Sequence, residues 1–169
     1  MFIDETGAST KMTRLRGRAL RGQRCRSPVP HGHWKTTTFT GALRLSGMTA
    51  PMVLDGPMNA DAFRAYVRHI LAPTLRPGDT VVMDNLPAHK VADIRVLIEN
   101  AGANLLYLPP YSPDLNPIEK AWSKLKLLLR SAKARTKDVL DQAITDLLPQ
   151  ITHDNAQAWF RCSGYGVHL

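Results

Sequence analysis

The order of apolar segments predicts an α/β layer fold, a mixed five-stranded sheet flanked by helices. Three observations carry that prediction. Two short runs, Thr80 to Asp84 and Leu105 to Leu108, are apolar almost throughout, as strands covered on both faces are. Helical periodicity separates these runs and follows them. Earlier in the chain an alternating, β-branched stretch reads as an antiparallel hairpin. The resulting order is strand, hairpin, helix, strand, helix, strand, helix, helix, which suits a sheet whose two later strands are joined by a right-handed crossover.

The elements follow one by one. Phe2-Ile3 leads into Asp4-Glu5-Thr6-Gly7, which reads as the end of a buried first strand, short of its upstream half, running into a turn. Residues 8 to 34 are rich in Arg, Gly and Pro and read mainly as loop. Thr36 to Leu45 and Ala50 to Leu54 form the hairpin around the turn signal Ser46-Gly47. Asn59 caps a helix whose apolar positions Phe63, Tyr66, Val67, Ile70 and Leu71 recur at helical spacing until Pro73. After the strand ending at Asp84, residues Val91, Ile94, Leu97, Ile98 and Ala101 mark a helix closed by Gly102. Pro109-Pro110 stops the last strand. Ile118, Ala121, Trp122, Leu125, Leu128 and Leu129 then make an amphipathic helix, with another over Val139 to Leu148. Residues 152 to 169, with Trp159, Phe160 and Tyr165, either cover the core or meet a partner. The arrangement is ribonuclease H-like if the first strand pairs centrally with the strand ending at Asp84.

At 169 residues the chain is the size of one domain, able to bury a core without disulfides. Cys25 and Cys162 stand alone, without zinc-site spacing. No apolar run approaches the roughly 18 residues that span a bilayer, and Asp4 and Glu5 stand where a signal peptide carries positive charge, so a cytoplasmic protein without a membrane partner is expected. Charge is unevenly placed. Thr6 to Leu54 holds nine Lys or Arg and no acid, within a chain of net charge +8. A second acid-free stretch follows Glu119, with Lys120, Lys124, Lys126, Arg130, Lys133, Arg135 and Lys137. Such segments gain free energy by releasing counterions from a polyanion, although a solvated basic surface has the same composition.

Three carboxylates carry the chemistry. Asp4 and Asp84 end predicted strands, and Glu119 opens a helix after a proline-rich turn, so this topology lets them converge at one edge of the sheet. Cutting or joining a phosphodiester needs an activated oxygen nucleophile, a stabilised leaving oxygen and charge neutralisation. Two Mg²⁺ ions about 3.5–4 Å apart supply all three when held by hard oxygen ligands. Each carboxylate also has a purely structural alternative. Asn116-Pro117-Ile118-Glu119 fits a capping box, Asp84 or Asn85 fits a helix cap, and Asp4 fits a turn. Glu119, Ser123, Lys126 and Arg130 share one face of the last long helix, opposite Trp122 and Leu125. That face either lines a nucleic-acid path or is merely solvated. Trp122 reads as packing, and Trp34 is left open.

Phe2-Ile3-Asp4-Glu5-Thr6-Gly7, Val81-Val82-Met83-Asp84-Asn85-Leu86-Pro87-Ala88-His89 and the block from Leu108 through Tyr111-Ser112-Pro113-Asp114-Leu115-Asn116-Pro117-Ile118-Glu119 to Trp122 together resemble the catalytic domain of the insertion-sequence-630 transposases, relatives of the mariner elements. The resemblance covers nearly the whole chain, and 34 residues separate Asp84 from Glu119, as in that superfamily. It implies a single DDE domain over residues 1–169, lacking the N-terminal helix-turn-helix region that reads transposon ends. It implies Asp4, Asp84 and Glu119 as catalytic ligands of two Mg²⁺ ions, with Mn²⁺ as substitute. Asn85, His89 and Asn116 become neighbours of the site. His89 either orients a phosphate or water or makes a local hydrogen bond. The implied activity is hydrolytic nicking of transposon ends and 3′-hydroxyl strand transfer into target DNA, by a homodimer that joins the nucleoid when bound. Arg14, Arg16, Arg18, Arg21, Arg24, Arg26, Lys126 and Arg130 become candidate DNA contacts. Two other readings stand beside this one: a non-catalytic DNA-binding fragment that regulates transposition, and a ribonuclease H-like nuclease.

Overall fold

A five-stranded sheet organises the molecule, in a computed structural model that describes residues 1–31, 34–90 and 92–166. Its strands are β1 (Phe2–Ser9), β2 (Thr36–Arg44), β3 (Gly47–Asp55), β4 (Thr80–Met83) and β5 (Asn104–Tyr107), in the spatial order β3-β2-β1-β4-β5. β1, β2 and β3 are antiparallel neighbours; β4 lies parallel to both β1 and β5. The sheet is therefore mixed, as its sequence pattern predicts.

Alternation along the strands builds two cores. Phe2, Phe39, Leu43 and Val82 face one side, where they meet α3 (Ile118–Ala132), α4 (Lys137–Leu147) and α5 (His153–Cys162). Ile3, Ala42, Val81 and Met83 face the other, against α1 (Ala60–Tyr66), its π-helical continuation Val67–Leu71 and α2 (Ala92–Asn100). β4 is buried on both faces, which is why it reads as an unbroken apolar run. Asn59 does cap α1, its side chain accepting from the Ala62 amide at 2.9 Å. After α2 the chain reverses at Gly102, whose φ of +77° is open to glycine. Val91, assigned above to the apolar face of that helix, lies outside the described residues. No helix among the described residues is long and apolar enough to cross a membrane.

The structure corrects the sequence reading in one place and resolves an open alternative in another. Asp4-Glu5-Thr6-Gly7 is not a turn: β1 runs on to Ser9, because eight consecutive residues pair with β2. The local signal of Thr and Gly loses to that ladder. Pairing with β4, by contrast, is confined to Phe2 opposite Val82, so β1 parts from β4 before it reaches Asp4. Secondly, residues 153–162 form a helix that closes the first core. Phe160 packs edge-on against Phe2 at 5.3 Å, and the Tyr165 hydroxyl donates to the Leu115 carbonyl at 2.8 Å. Through residue 166 this segment covers the core.

Candidate active site

The parting of β1 and β4 creates the crevice in which α/β sheets place their sites, at the carboxyl end of a parallel strand beside a change in strand order. A cleft of about 430 Å³ opens there, and Asp4, Asp84 and Glu119 all line it, together with Asn85 and Asn116. β1 supplies Asp4, the end of β4 supplies Asp84, and the first turn of α3 supplies Glu119. The three acids predicted from the sequence thus share one cavity. Among the described residues, no three acids or histidines stand close enough to form a ready-made metal cage. Mg²⁺ does not require one, since it keeps several waters and takes one or two carboxylates at a time.

Asp4 is the buried member. Its Oδ1 accepts from the Glu5 amide at 2.8 Å and its Oδ2 from the Asn116 side-chain amide at 3.2 Å. Burial first, then the charge of Glu119, raises its pKa to about 7, against the Glu5 amide bond, which lowers it. Asn116 is not the helix cap that its sequence context suggests. Pro117 occupies the cap position of α3 with no side-chain bond, and the Asn116 side chain turns into the site instead, leaving its buried Oδ1 without a partner. Glu119 therefore completes no capping box.

Asp84 is held from behind. Its Oδ1 accepts from the Leu86 amide at 3.1 Å and from His89 Nδ1 at 2.6 Å. The other nitrogen of His89 lies 3.1 Å from Glu5 Oε2. Two carboxylate acceptors require two ring donors, so the imidazole is charged. Burial opposes that charge, but the bonds to Asp84 and Glu5 outweigh it and push the His89 pKa up to about 9. Burial also acts against the Asp84 charge, and the His89 bond overcomes it, holding the Asp84 carboxyl below its ordinary range. His89 has no exposed surface and does not line the cleft; its ring stacks on Phe63 at 4.2 Å and its carbonyl accepts from Tyr107 Oη at 2.9 Å. Of the two roles open to it from the sequence, the structure shows the local hydrogen bonds, to Asp84 and to Glu5.

Glu5 is the residue that sequence reasoning missed. A strand alternates its side chains, so Asp4 and Glu5 point to opposite faces. Asp4 goes to the α3 side and Glu5 to the α1 side, beneath His89. An acid beside Ile3 on a strand now known to continue was the available signal, hidden by reading the segment as a turn.

The cations divide. Arg14 and Arg16 join Leu127, Arg130 and Ser131 around a second cavity of about 410 Å³, so the basic loop meets the exposed side of α3. Arg18, Arg21, Arg24 and Arg26 are exposed along the loop, and Lys126 is half-buried. Others in the basic stretches serve the fold. Lys124 Nζ donates to the Gln150 carbonyl and to Asn155, Arg135 ties down the carbonyls of Thr10 and Met12, and Lys137 pairs with Asp141. Trp34 lies under Lys11 Nζ at 4.1 Å, and Trp122 packs edge-on against Phe39 at 5.3 Å, which makes it a core residue as expected.

Comparison with known proteins agrees with this geometry. Residues 1–141 match the family described as DDE superfamily endonuclease. The chain is 32% identical over 103 residues to the transposable element Tc1 transposase of Caenorhabditis elegans, an alignment covering 61% of this chain and 36% of that protein. The Mos1 transposase, in a paired-end complex with the left transposon end, superposes with a TM-score of 0.66 at 18% identity, over 97% of this chain and 55% of the other. The catalytic core domain of BIV integrase superposes with a TM-score of 0.50 at 15% identity, over 75% of this chain and 86% of that one. The fold is thus that of ribonuclease H-like transposase and integrase cores. The chain spans about a third to a half of the length of the transposases it matches.

Proposed function

The chain belongs to the DDE superfamily endonucleases, and on that premise we propose that it is the catalytic domain of a DNA transposase, nicking transposon ends and joining the freed 3′-hydroxyl to target DNA. One observation carries the reading: Asp4, Asp84 and Glu119, far apart in sequence, line a single cleft at the carboxyl end of β4.

The residues fit a divalent cation. The donors are hard oxygens, Asn116 Oδ1 is buried with nothing to bond, and the buried Asp4 carboxyl shares its cleft with the like charges of Asp84 and Glu119. Paired-end complexes of mariner Mos1 are known with Mg and with Mn. Here Asp4, Asp84 and Glu119 would hold two Mg²⁺ ions, with Mn²⁺ as substitute, which would supply nucleophile activation and charge neutralisation at the phosphate. The protein's own part is positional. His89 and Glu5 fix Asp84; Asn116 and the Glu5 amide fix Asp4; the start of α3 presents Glu119. Arg14, Arg16, Arg130 and Lys126, with the exposed loop arginines, bind the DNA backbone, and two copies of the domain bridge two ends.

The test is Mg²⁺- or Mn²⁺-dependent nicking of supercoiled plasmid, with joining of a 3′-hydroxyl oligonucleotide to it, by the wild type and by Asp84→Ala. Both activities are expected in the wild type and neither in the variant. Nicking without joining leaves a nuclease. DNA binding with neither activity replaces the enzyme by a regulatory DNA-binding fragment.

A further inference from the structure

Tyr111 is used by nothing described so far, and it is unusual twice over. Its side chain is fully exposed, and its backbone has a φ of +56°, the left-handed region that residues with a Cβ rarely adopt. The turn that imposes this conformation is stiff. Pro109 and Pro110 precede Tyr111, Pro113 follows, and Ser112 Oγ donates across it to the Pro110 carbonyl at 3.2 Å. A ring held out in this way gains no packing from its own chain. It nevertheless lines the same cleft as Asp4, Asp84 and Glu119. Leu86 also lines that cleft and is substantially exposed. The two apolar groups come from the loops that follow the neighbouring parallel strands β5 and β4.

An aromatic face beside a phosphate-handling site calls for an occupant that arrives attached to the phosphate and carries a flat apolar surface. A nucleobase meets both conditions, and stacking on Tyr accepts any base because each has a π-face. We infer that Tyr111 is a substrate-contacting residue that stacks on the base of a nucleotide next to the phosphodiester held at the three carboxylates, drawing that base out of the duplex stack. This inference rests on the nucleic-acid phosphodiester function proposed above. It assigns to the turn between β5 and α3 a role in binding.

The test is a double-mutant cycle between protein and DNA. Duplexes of one sequence, each with a single unpaired nucleotide at successive positions that either keeps its base or is abasic, are nicked in Mn²⁺ and the cuts are mapped to the nucleotide. The cost of unpairing then does not enter the comparison. For the wild type, removing the base beside a given phosphate lowers nicking at that phosphate about five- to a hundredfold. Tyr111→Ala lowers nicking of the base-bearing DNA by a similar factor and no longer distinguishes base-bearing from abasic DNA, whereas Tyr111→Phe behaves as wild type. If Tyr111→Ala lowers nicking of base-bearing and abasic DNA equally, or changes neither, Tyr111 does not stack on a base and the inference is overturned while the endonuclease function stands. If the wild type shows no metal-dependent nicking that Asp84→Ala removes, the function itself fails, and the inference with it.

Discussion

Replacing Asp4 with Asn should stabilise the metal-free protein while destroying its proposed chemistry. In the metal-free fold burial, and after it the charges of Glu119, Glu5 and Asp84, raise the Asp4 pKa from 3.8 to about 7. A folded-state pKa above the unfolded one means no penalty below pH 3.8, where both states hold the proton, and a penalty that grows between pH 3.8 and about 7 and is complete above that. The rise is roughly three pH units at about 1.4 kcal/mol each, an upper limit of about 4 kcal/mol at pH 8. Asn keeps the acceptor for the Glu5 amide, but its new amide faces that of Asn116. Turning Asn116 over brings its unpartnered Oδ1 to that amide and restores the pair. A net gain of about 1–4 kcal/mol is therefore expected near pH 8, shrinking towards zero near pH 4. Urea unfolding of both proteins across this range in a chelator measures it, and the difference between them isolates Asp4, since no bond links it to His89. Added Mg²⁺ should then raise the midpoint of the wild type alone, because a ligand of the folded state stabilises by mass action. A variant less stable than wild type at pH 8, or a gain of equal size at pH 4, would refute the electrostatic account.

Three further outcomes are expected. Glu5→Ala strips His89 of one of its two carboxylates; it should weaken metal binding and nicking at least tenfold without opening the cleft, with Glu5→Gln intermediate, as titrations of activity against Mg²⁺ would show. Arg44 grips both oxygens of Asp79 at 2.8 and 2.6 Å, and that bond draws the Asp79 pKa down from 3.8 to about 2. This contribution is present above pH 3.8 and lost as pH falls through 2, so Arg44→Met should cost about 1–3 kcal/mol at neutral pH and progressively less in acid, measured by chemical unfolding. Arg16→Ala and Arg130→Ala, which both line the second cavity, should each weaken DNA binding and reduce the slope of log affinity against log salt by about 1, while Lys124→Ala should change stability and leave that slope intact.

Much of this protein was legible in its sequence because the relevant signals are local. The apolar run of β4, the helical stripe from Ile118 to Leu129 and the Asn59 cap each depend on residues within a turn or two, and the helices and strands formed where those signals stand. Asp84 and Glu119 were likewise legible as residues at element boundaries within recognisable blocks, whereas Asp4 reaches the same cleft from within β1 and not from its end. What only the tertiary structure decided are the contacts made across the sheet. β1 continues through Asp4 because β2 pairs with it. Asn116 gives up a capping role because Asp4, 112 residues away, stands within its reach. Glu5 meets His89 across 84 residues because the strand order sets β1 beside β4 and the pleat turns neighbouring side chains to opposite faces. Propensity and spacing specify where an element forms and which face it buries. Which polar groups then meet depends on strand order, register and the depth of burial, and these are properties of the packed sheet.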